Sequence, residues 1–362
     1  MKRYLALTAL LLAASPAAAQ SEFALDLALG GRVVAESQGG ETGYIYSWPG
    51  VYFEAQFMGD EVEARIDDSE NNLYLYIDGV HKLTLTRPGR TTVALKALGP
   101  GRHVVRLEKA SESQSATGRF DGFYVAALSD RLPAPQYARR IEFIGDSITV
   151  GYGNTARGRT CTPADVRDTT DTSQSFAPLT AKHFGAAYRI NAFSGRGVVR
   201  NYGGMLPGMT LPVLYGYTLL DGSVGADDTG WTPDVVVVGL GTNDFSTPLA
   251  DGEPWRTPEA LRTDFVHFYV AFLAKLHAKW PAAHVILMAS RDYGGAVLDG
   301  AEAAAEALQQ AGISNLEVLP FDGLDDMACD GHPSLKDDLF LSQLLIDRIA
   351  RLPAFADAAA VP

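Results

Sequence analysis

From about residue 32 to residue 128 the chain alternates apolar and polar positions with a period of two. Val51-Tyr52-Phe53-Glu54-Ala55-Gln56-Phe57, Val62-Glu63-Ala64-Arg65-Ile66 and Leu73-Tyr74-Leu75-Tyr76-Ile77 all show it. A strand turns successive side chains to opposite faces, so the pattern predicts strands with one face buried. Asp78-Gly79 between residues 73–77 and 81–86 is the dipeptide of a tight hairpin. Further strands are predicted over 92–98, 103–109 and 120–128, punctuated by Pro88-Gly89 and Gly99-Pro100-Gly101. Short strands about 8–12 residues apart, with no helical stretch, predict an all-β sandwich or jelly roll over residues 20–135. Arg131-Leu132-Pro133-Ala134-Pro135 reads as a stiff linker closing it.

Beyond residue 136 the rhythm becomes strand–loop–helix. Runs that are apolar throughout lie at 141–144, 187–190, 235–240, 285–289 and 316–319, and helical periodicity appears at 176–184, 259–280, 302–310 and 335–352. Strands apolar on both faces belong to a parallel sheet covered by helices, so residues 136–362 are expected to form a three-layer α/β/α domain. Sites in such sheets form beyond the carboxyl ends of the strands. The chemistry is therefore sought just after Ile144, Asn191, Leu240 and Ala289.

The amino terminus carries a different signal. Lys2 and Arg3 precede an apolar run over 5–14, and Ala17-Ala18-Ala19 precede Gln20. That layout predicts a signal peptide over residues 1–19, cleaved after Ala19, and a secreted or periplasmic protein. The run is too short to span about 30 Å of hydrocarbon, so no membrane anchor is expected. Losing Lys2 and Arg3 would take the formal charge from −13 to −15. A chain this acidic lacks the basic face that nucleic acid needs. Two cysteines among 362 residues cannot build a disulfide scaffold or a four-cysteine metal site. An oxidising compartment does permit one disulfide, between Cys161 and Cys329.

Four loops carry candidate chemistry. Gly145-Asp146-Ser147 follows the first parallel strand. A serine at a strand-to-helix turn can present both its hydroxyl and its N–H, as acyl transfer requires, although a plain turn and N-cap would use the same residues. The chain has no Gly-x-Ser-x-Gly elbow. The second strand leads into Asn191-Ala192-Phe193-Ser194-Gly195-Arg196-Gly197, where glycines allow close backbone approach. The third leads into Gly241-Thr242-Asn243-Asp244, whose amide is placed to donate to an oxyanion or to satisfy a turn. Of the seven histidines, His81 and His103 fall in sandwich strands, His183, His267 and His277 in helices, and His284 at the start of a strand. Only His332, in Cys329-Asp330-Gly331-His332-Pro333-Ser334, sits in an irregular stretch where a late loop could deliver a base.

These blocks, in this order, resemble the SGNH hydrolases, also called GDSL esterases, over about residues 138–352. The resemblance implies Ser147 as nucleophile, His332 as general base, and an oxyanion hole from the Ser147 N–H, the Gly195 N–H and the Asn243 side chain. Gly197 is close enough to Gly195 to compete for that role. A jelly roll followed by an SGNH domain is similar to carbohydrate esterase family two. The strings over 145–153, 194–202 and 329–334 support that narrower likeness. It implies removal of acetyl groups from xylan or glucomannan, with acetylated oligo- or polysaccharide as the partner and no metal or organic cofactor. The chain contains no His-Glu-x-x-His, P-loop or complete dinucleotide fingerprint. It is expected to act as a monomer.

One position departs from the SGNH pattern. The aspartate usual three residues before the histidine is Cys329 here. Asp330 is the candidate replacement for orienting the imidazole. The alternative is a Ser–His dyad held by a main-chain carbonyl. Competing functional readings are lipase-like or thioesterase activity on the same domain, or a non-catalytic glycan-binding protein. The absence of a long amphipathic lid helix disfavours the first, and the filled catalytic positions disfavour the second. Tyr44, Tyr46 and Trp48 suit packing as well as they suit a sugar platform.

Overall fold

The computed structural model describes residues 22–38, 40–112 and 116–357. The expected signal peptide over 1–19 lies outside the described residues. The first part is two antiparallel sheets face to face. Its strands are β1 (Phe23–Ala24), β2 (Ala28–Gly30), β3 (Val33–Gln38), β4 (Glu41–Tyr46), β5 (Tyr52–Met58), β6 (Val62–Asp68), β7 (Asn72–Ile77), β8 (Val80–Thr86), β9 (Gly89–Leu95), β10 (Arg102–Lys109) and β11 (Gly118–Val125). One sheet runs β3-β4-β11-β6-β9 with β1 beside β11, and the other β2-β5-β10-β7-β8. The period-two pattern closes the core between them. Val62, Ala64 and Ile66 are buried and alternate with half-buried Glu63 and Arg65, as Leu73, Leu75 and Ile77 on the facing sheet alternate with half-buried Tyr74 and Tyr76. Asp78 and Gly79 both have positive φ (52° and 76°), which a two-residue hairpin with the sheet's own twist requires. Tyr46 and Trp48 are fully buried and Tyr44 packs against the core, so these aromatics fill the sandwich rather than form a platform.

The second part is a parallel sheet of β12 (Arg140–Gly145), β13 (Ala187–Ala192), β14 (Val235–Gly239), β15 (His284–Ser290) and β16 (Leu316–Phe321), in the order β13-β12-β14-β15-β16. Its helices are α1 (Ser147–Val150), α2 (Pro163–Thr169), α3 (Phe176–His183), α4 (Leu211–Leu214), α5 (Thr242–Phe245), α6 (Pro258–Lys279), α7 (Ala296–Gln310) and α8 (Leu335–Ile349). Successive residues of β14 feed opposite layers. Val235 and Val237 pack towards α3 and α8, while Val236 and Val238 pack towards α6 and α7. That explains strands with no polar alternation. The strand order reverses on either side of β12, so the loops after β12, β13 and β14 open onto one crevice.

The two parts are bound tightly to each other. Arg32, with a fully buried side chain, reaches Asp228 at 3.2 Å and the carbonyl of Tyr215 at 2.6 Å. Arg106 stacks on Tyr52, 3.5 Å from the ring centroid, and donates to the Tyr188 hydroxyl. The Thr172 N–H donates to the Ala110 carbonyl at 2.7 Å, joining the end of β10 to the second part. Among the described residues no helix is long and apolar enough to cross a membrane.

Candidate active site

Gly145 ends β12 where a Cβ would stand 1.9 Å from Thr149 Oγ1, so the chain can turn there only without a side chain. The Asp146 carboxylate then caps α1 by accepting from the Ile148 N–H at 3.1 Å. Ser147 is thereby the first residue of a helix, and its N–H is one of those a helix start leaves unbonded. No described protein group accepts from that N–H. Burial pushes the Asp146 carboxyl up to about 7, with the charge of Asp244 adding to the effect.

His332 approaches from the other side. Asp330 and Gly331 both take left-handed backbone conformations (φ 55° and 76°), which fold residues 329–332 into a single turn. The imidazole Nε2 then lies 2.9 Å from Ser147 Oγ. Its Nδ1 lies 2.9 Å from the Cys329 carbonyl oxygen. A carbonyl only accepts, so Nδ1 carries the proton and Nε2 is left with its lone pair towards the serine. The ring also stacks on Tyr152, with centroids 4.2 Å apart. Burial holds the imidazole pKa below its ordinary value, against the opposing effects of the Cys329 carbonyl and the Asp330 charge.

Asp330 does not occupy the place expected of it. Its side chain is exposed and accepts from the Tyr152 hydroxyl at 3.0 Å, and it makes no hydrogen bond to the imidazole. The left-handed backbone at residue 330 turns its carboxylate away, and the Cys329 carbonyl takes the position beside Nδ1. Cys329 is also joined to Cys161 by a disulfide. The histidine turn is thus tied to the loop that follows the nucleophile, and the Asp330 N–H donates to the Arg159 carbonyl of that loop at 2.8 Å. Ser334 caps α8 in a capping box with Asp337.

The loop after β13 separates the two competing glycines. Gly195 has φ 80° and its N–H has no described acceptor. At Gly197 a Cβ would stand 2.1 Å from the Arg200 carbonyl and 2.4 Å from Asp244 Oδ2. Gly197 therefore makes room for the buried Asp244 carboxylate, which accepts from the N–H groups of Val198, Val199 and Arg200 at 2.8–2.9 Å. Asn243, in α5, is buried, and its amide donates to the Arg196 carbonyl at 3.0 Å and to Asp146 Oδ2 at 3.2 Å. The Asn243 amide and the N–H groups of Ser147 and Gly195 come from the three loops that open onto the crevice.

Three further groups at this site had no signal that singled them out. Asp244 was visible only as part of a string. Tyr152 was visible only as a residue near the serine. Glu112 belongs to the sandwich, and its carboxylate accepts from both the N–H (2.7 Å) and the hydroxyl of Ser194. Among the described residues no group of three His, Cys, Asp or Glu side chains is arranged to hold a metal ion.

The chain is similar to known proteins in sequence and in fold. Residues 29–135 match the family model described as carbohydrate esterase 2 N-terminal, and residues 143–342 match the GDSL-like lipase/acylhydrolase family. An acetylxylan esterase / glucomannan deacetylase of Cellvibrio japonicus (strain Ueda107) is 44% identical over 344 residues, covering 95% of this chain and 96% of its own. A solved carbohydrate esterase, described as displaying divergent catalytic and non-catalytic binding functions at its active site, superposes with a TM-score of 0.87 at 42% identity. The match covers 92% of this chain and 99% of that one. A family two carbohydrate esterase from Clostridium thermocellum in complex with cellohexaose superposes with a TM-score of 0.75 at 28% identity, covering 90% of this chain and 98% of its own.

Proposed function

The chain belongs to carbohydrate esterase family 2 and to the GDSL-like lipase/acylhydrolase family, and so is a carboxylic ester hydrolase; from that premise we propose that it is exported and removes O-acetyl groups from xylan and glucomannan, with Ser147 as nucleophile and His332 as base. The observation that carries this reading is the unbroken relay of Ser147 Oγ, His332 Nε2, His332 Nδ1 and the Cys329 carbonyl, with 2.9 Å at each hydrogen bond.

In this mechanism Ser147 Oγ attacks the acetyl carbonyl carbon as its proton passes to His332 Nε2. The carbonyl oxygen becomes an oxyanion facing the N–H groups of Ser147 and Gly195 and the Asn243 amide. Asn243 already spends its two N–H bonds within the protein, so its contribution comes from sharing the longer one, to Asp146 at 3.2 Å. Collapse of the intermediate breaks the bond to the sugar oxygen, which leaves with the proton held on Nε2. Water, giving its proton to Nε2, then attacks the acetyl-serine carbonyl. A second collapse returns that proton to Ser147 Oγ and frees acetate. The Cys329 carbonyl fixes the tautomer and stabilises the transient imidazolium, the task a carboxylate performs in a triad.

Tyr202, half exposed beside Gly195, offers a ring face for a sugar. A disulfide at the site suits an oxidising compartment outside the cytoplasm. One observation favours the alternative of a longer acyl group. Met205, Leu206 and Met209 are exposed on the loop that Asn201 holds next to the site. Acetate release from acetylated xylan and glucomannan, compared with hydrolysis of long-chain p-nitrophenyl esters, decides between them. Efficient acetate release that Ser147→Ala abolishes is the expected result. Preference for the long chain would overturn the substrate assignment.

A further inference from the structure

The site is built from the α/β domain, yet one of its contacts comes from the other domain. β10 ends at Lys109, and the chain then passes Ala110, whose carbonyl is held by the Thr172 N–H at 2.7 Å. Ser111 is held in turn, its hydroxyl accepting from the Asn72 N–H at 2.9 Å. These bonds deliver Glu112 to the loop after β13. Both hydrogen-bond donors of Ser194 go to the Glu112 carboxylate. The cations facing Glu112 are Lys109, whose ammonium donates to the Ser47 carbonyl, and Arg196, whose Nε and Nη1 are buried without an acceptor.

Ser194 is followed directly by the two groups that shape the oxyanion hole. Gly195 supplies a left-handed N–H with no described acceptor, and the Arg196 carbonyl holds the Asn243 amide. A shift of Ser194 therefore moves two of the three donors together. We infer that Glu112 is a positioning residue of the sandwich domain: by gripping both donors of Ser194 it sets where Gly195 and Asn243 meet the oxyanion. The inference rests on the Ser147–His332 reading above. It also gives the sandwich a part in the chemistry besides any binding of glycan. A carboxylate so close to a developing negative charge is electrostatically unfavourable, and the two cations facing Glu112 offset that.

Substitution with three readouts tests it: kcat and KM for p-nitrophenyl acetate, and Tm. A displaced donor costs less than a deleted one, so Glu112→Ala should lower kcat by about 10- to 100-fold with KM nearly unchanged. Glu112→Gln keeps an oxygen for the Ser194 N–H and an amide for its hydroxyl, so it should restore most of kcat. Ser194→Ala removes one of the two bonds and should fall between. If Glu112→Ala does not fold, Ser194→Ala and Glu112→Gln decide. Wild-type kcat in Ser194→Ala, in folded Glu112→Ala, or a Glu112→Gln as impaired as the alanine variant would overturn the inference. Ser147→Ala run alongside separates the two claims. An inactive Ser147→Ala beside a fully active Glu112→Ala sinks only the positioning role, whereas an active Ser147→Ala sinks the underlying mechanism.

Discussion

The Nδ1–H of His332 donates to the main-chain carbonyl of Cys329 at 2.9 Å, in the place where a triad would set a carboxylate. A carbonyl can only accept, so it fixes the tautomer as an aspartate would, and no neighbouring side chain has to ionise for it to act. Asp330 bonds to Tyr152 instead. Asp330→Asn should therefore lower kcat by only a few fold in assays on an acetyl ester. A loss of about 10⁴, as when a true triad carboxylate becomes an amide, would place Asp330 in the relay.

The pH profile follows from the same ring. Protonated His332 cannot take the serine proton, so activity is lost on the acid side as the imidazole charges. Burial lowers the imidazole pKa, so the acid limb of kcat/KM should fall below the ordinary histidine value of about 6.5. The Asp330 charge opposes that shift. Asp330→Asn should then move the limb further to acid, and a move to higher pH would contradict the assignment of His332 as base.

Asn243 is buried with its amide between Arg196 and Asp146. Asn243→Ala should reduce kcat by about 100- to 1000-fold, the usual cost of one oxyanion donor, with a much smaller change in KM. Steady-state kinetics on p-nitrophenyl acetate is the check. A variant impaired mainly in KM would point to a substrate-binding role.

The Cys161–Cys329 disulfide closes a loop with a sequence separation of 168 and carries the carbonyl that holds His332. Thiol titration of the denatured, unreduced protein should find no free thiol. Cys161→Ser should lose about 2–4 kcal/mol of stability, seen as a lower Tm, and some kcat as the histidine turn loosens. Unchanged Tm and kcat would show that the link matters to neither.

Most of the framework is legible in the chain because each element carries its own local signal. The five parallel strands and the helices α3, α6 and α8 follow from apolar runs and periodicity, and the hairpin at Asp78-Gly79 from turn chemistry. Ser147, Gly195, Asn243 and His332 stand out because each follows a readable strand or precedes a readable helix. α7 begins at Ala296, earlier than the residue 302 that periodicity suggested. α2 shows no apolar periodicity, for it buries no residue and is set by the capping box of Thr162 and Asp165. The short strands β1 and β2 leave no signal in the sequence because two or three residues hold no period. The two departures at the site have other causes. The direction of the Asp330 carboxylate depends on a left-handed backbone turn that residue type alone does not dictate. Glu112 meets Ser194 across 82 positions and a domain boundary, where no local pattern connects them.

Isolation of the acyl-enzyme tests the central claim most directly. His332→Ala protein, slow to release acetate, or wild type quenched in acid during turnover of p-nitrophenyl acetate, can be digested and its peptides weighed. A single acetyl group on the peptide that contains Ser147, absent from Ser147→Ala, is the predicted result. Turnover with no acetylated Ser147, or an acetyl group carried on another side chain, would contradict the account.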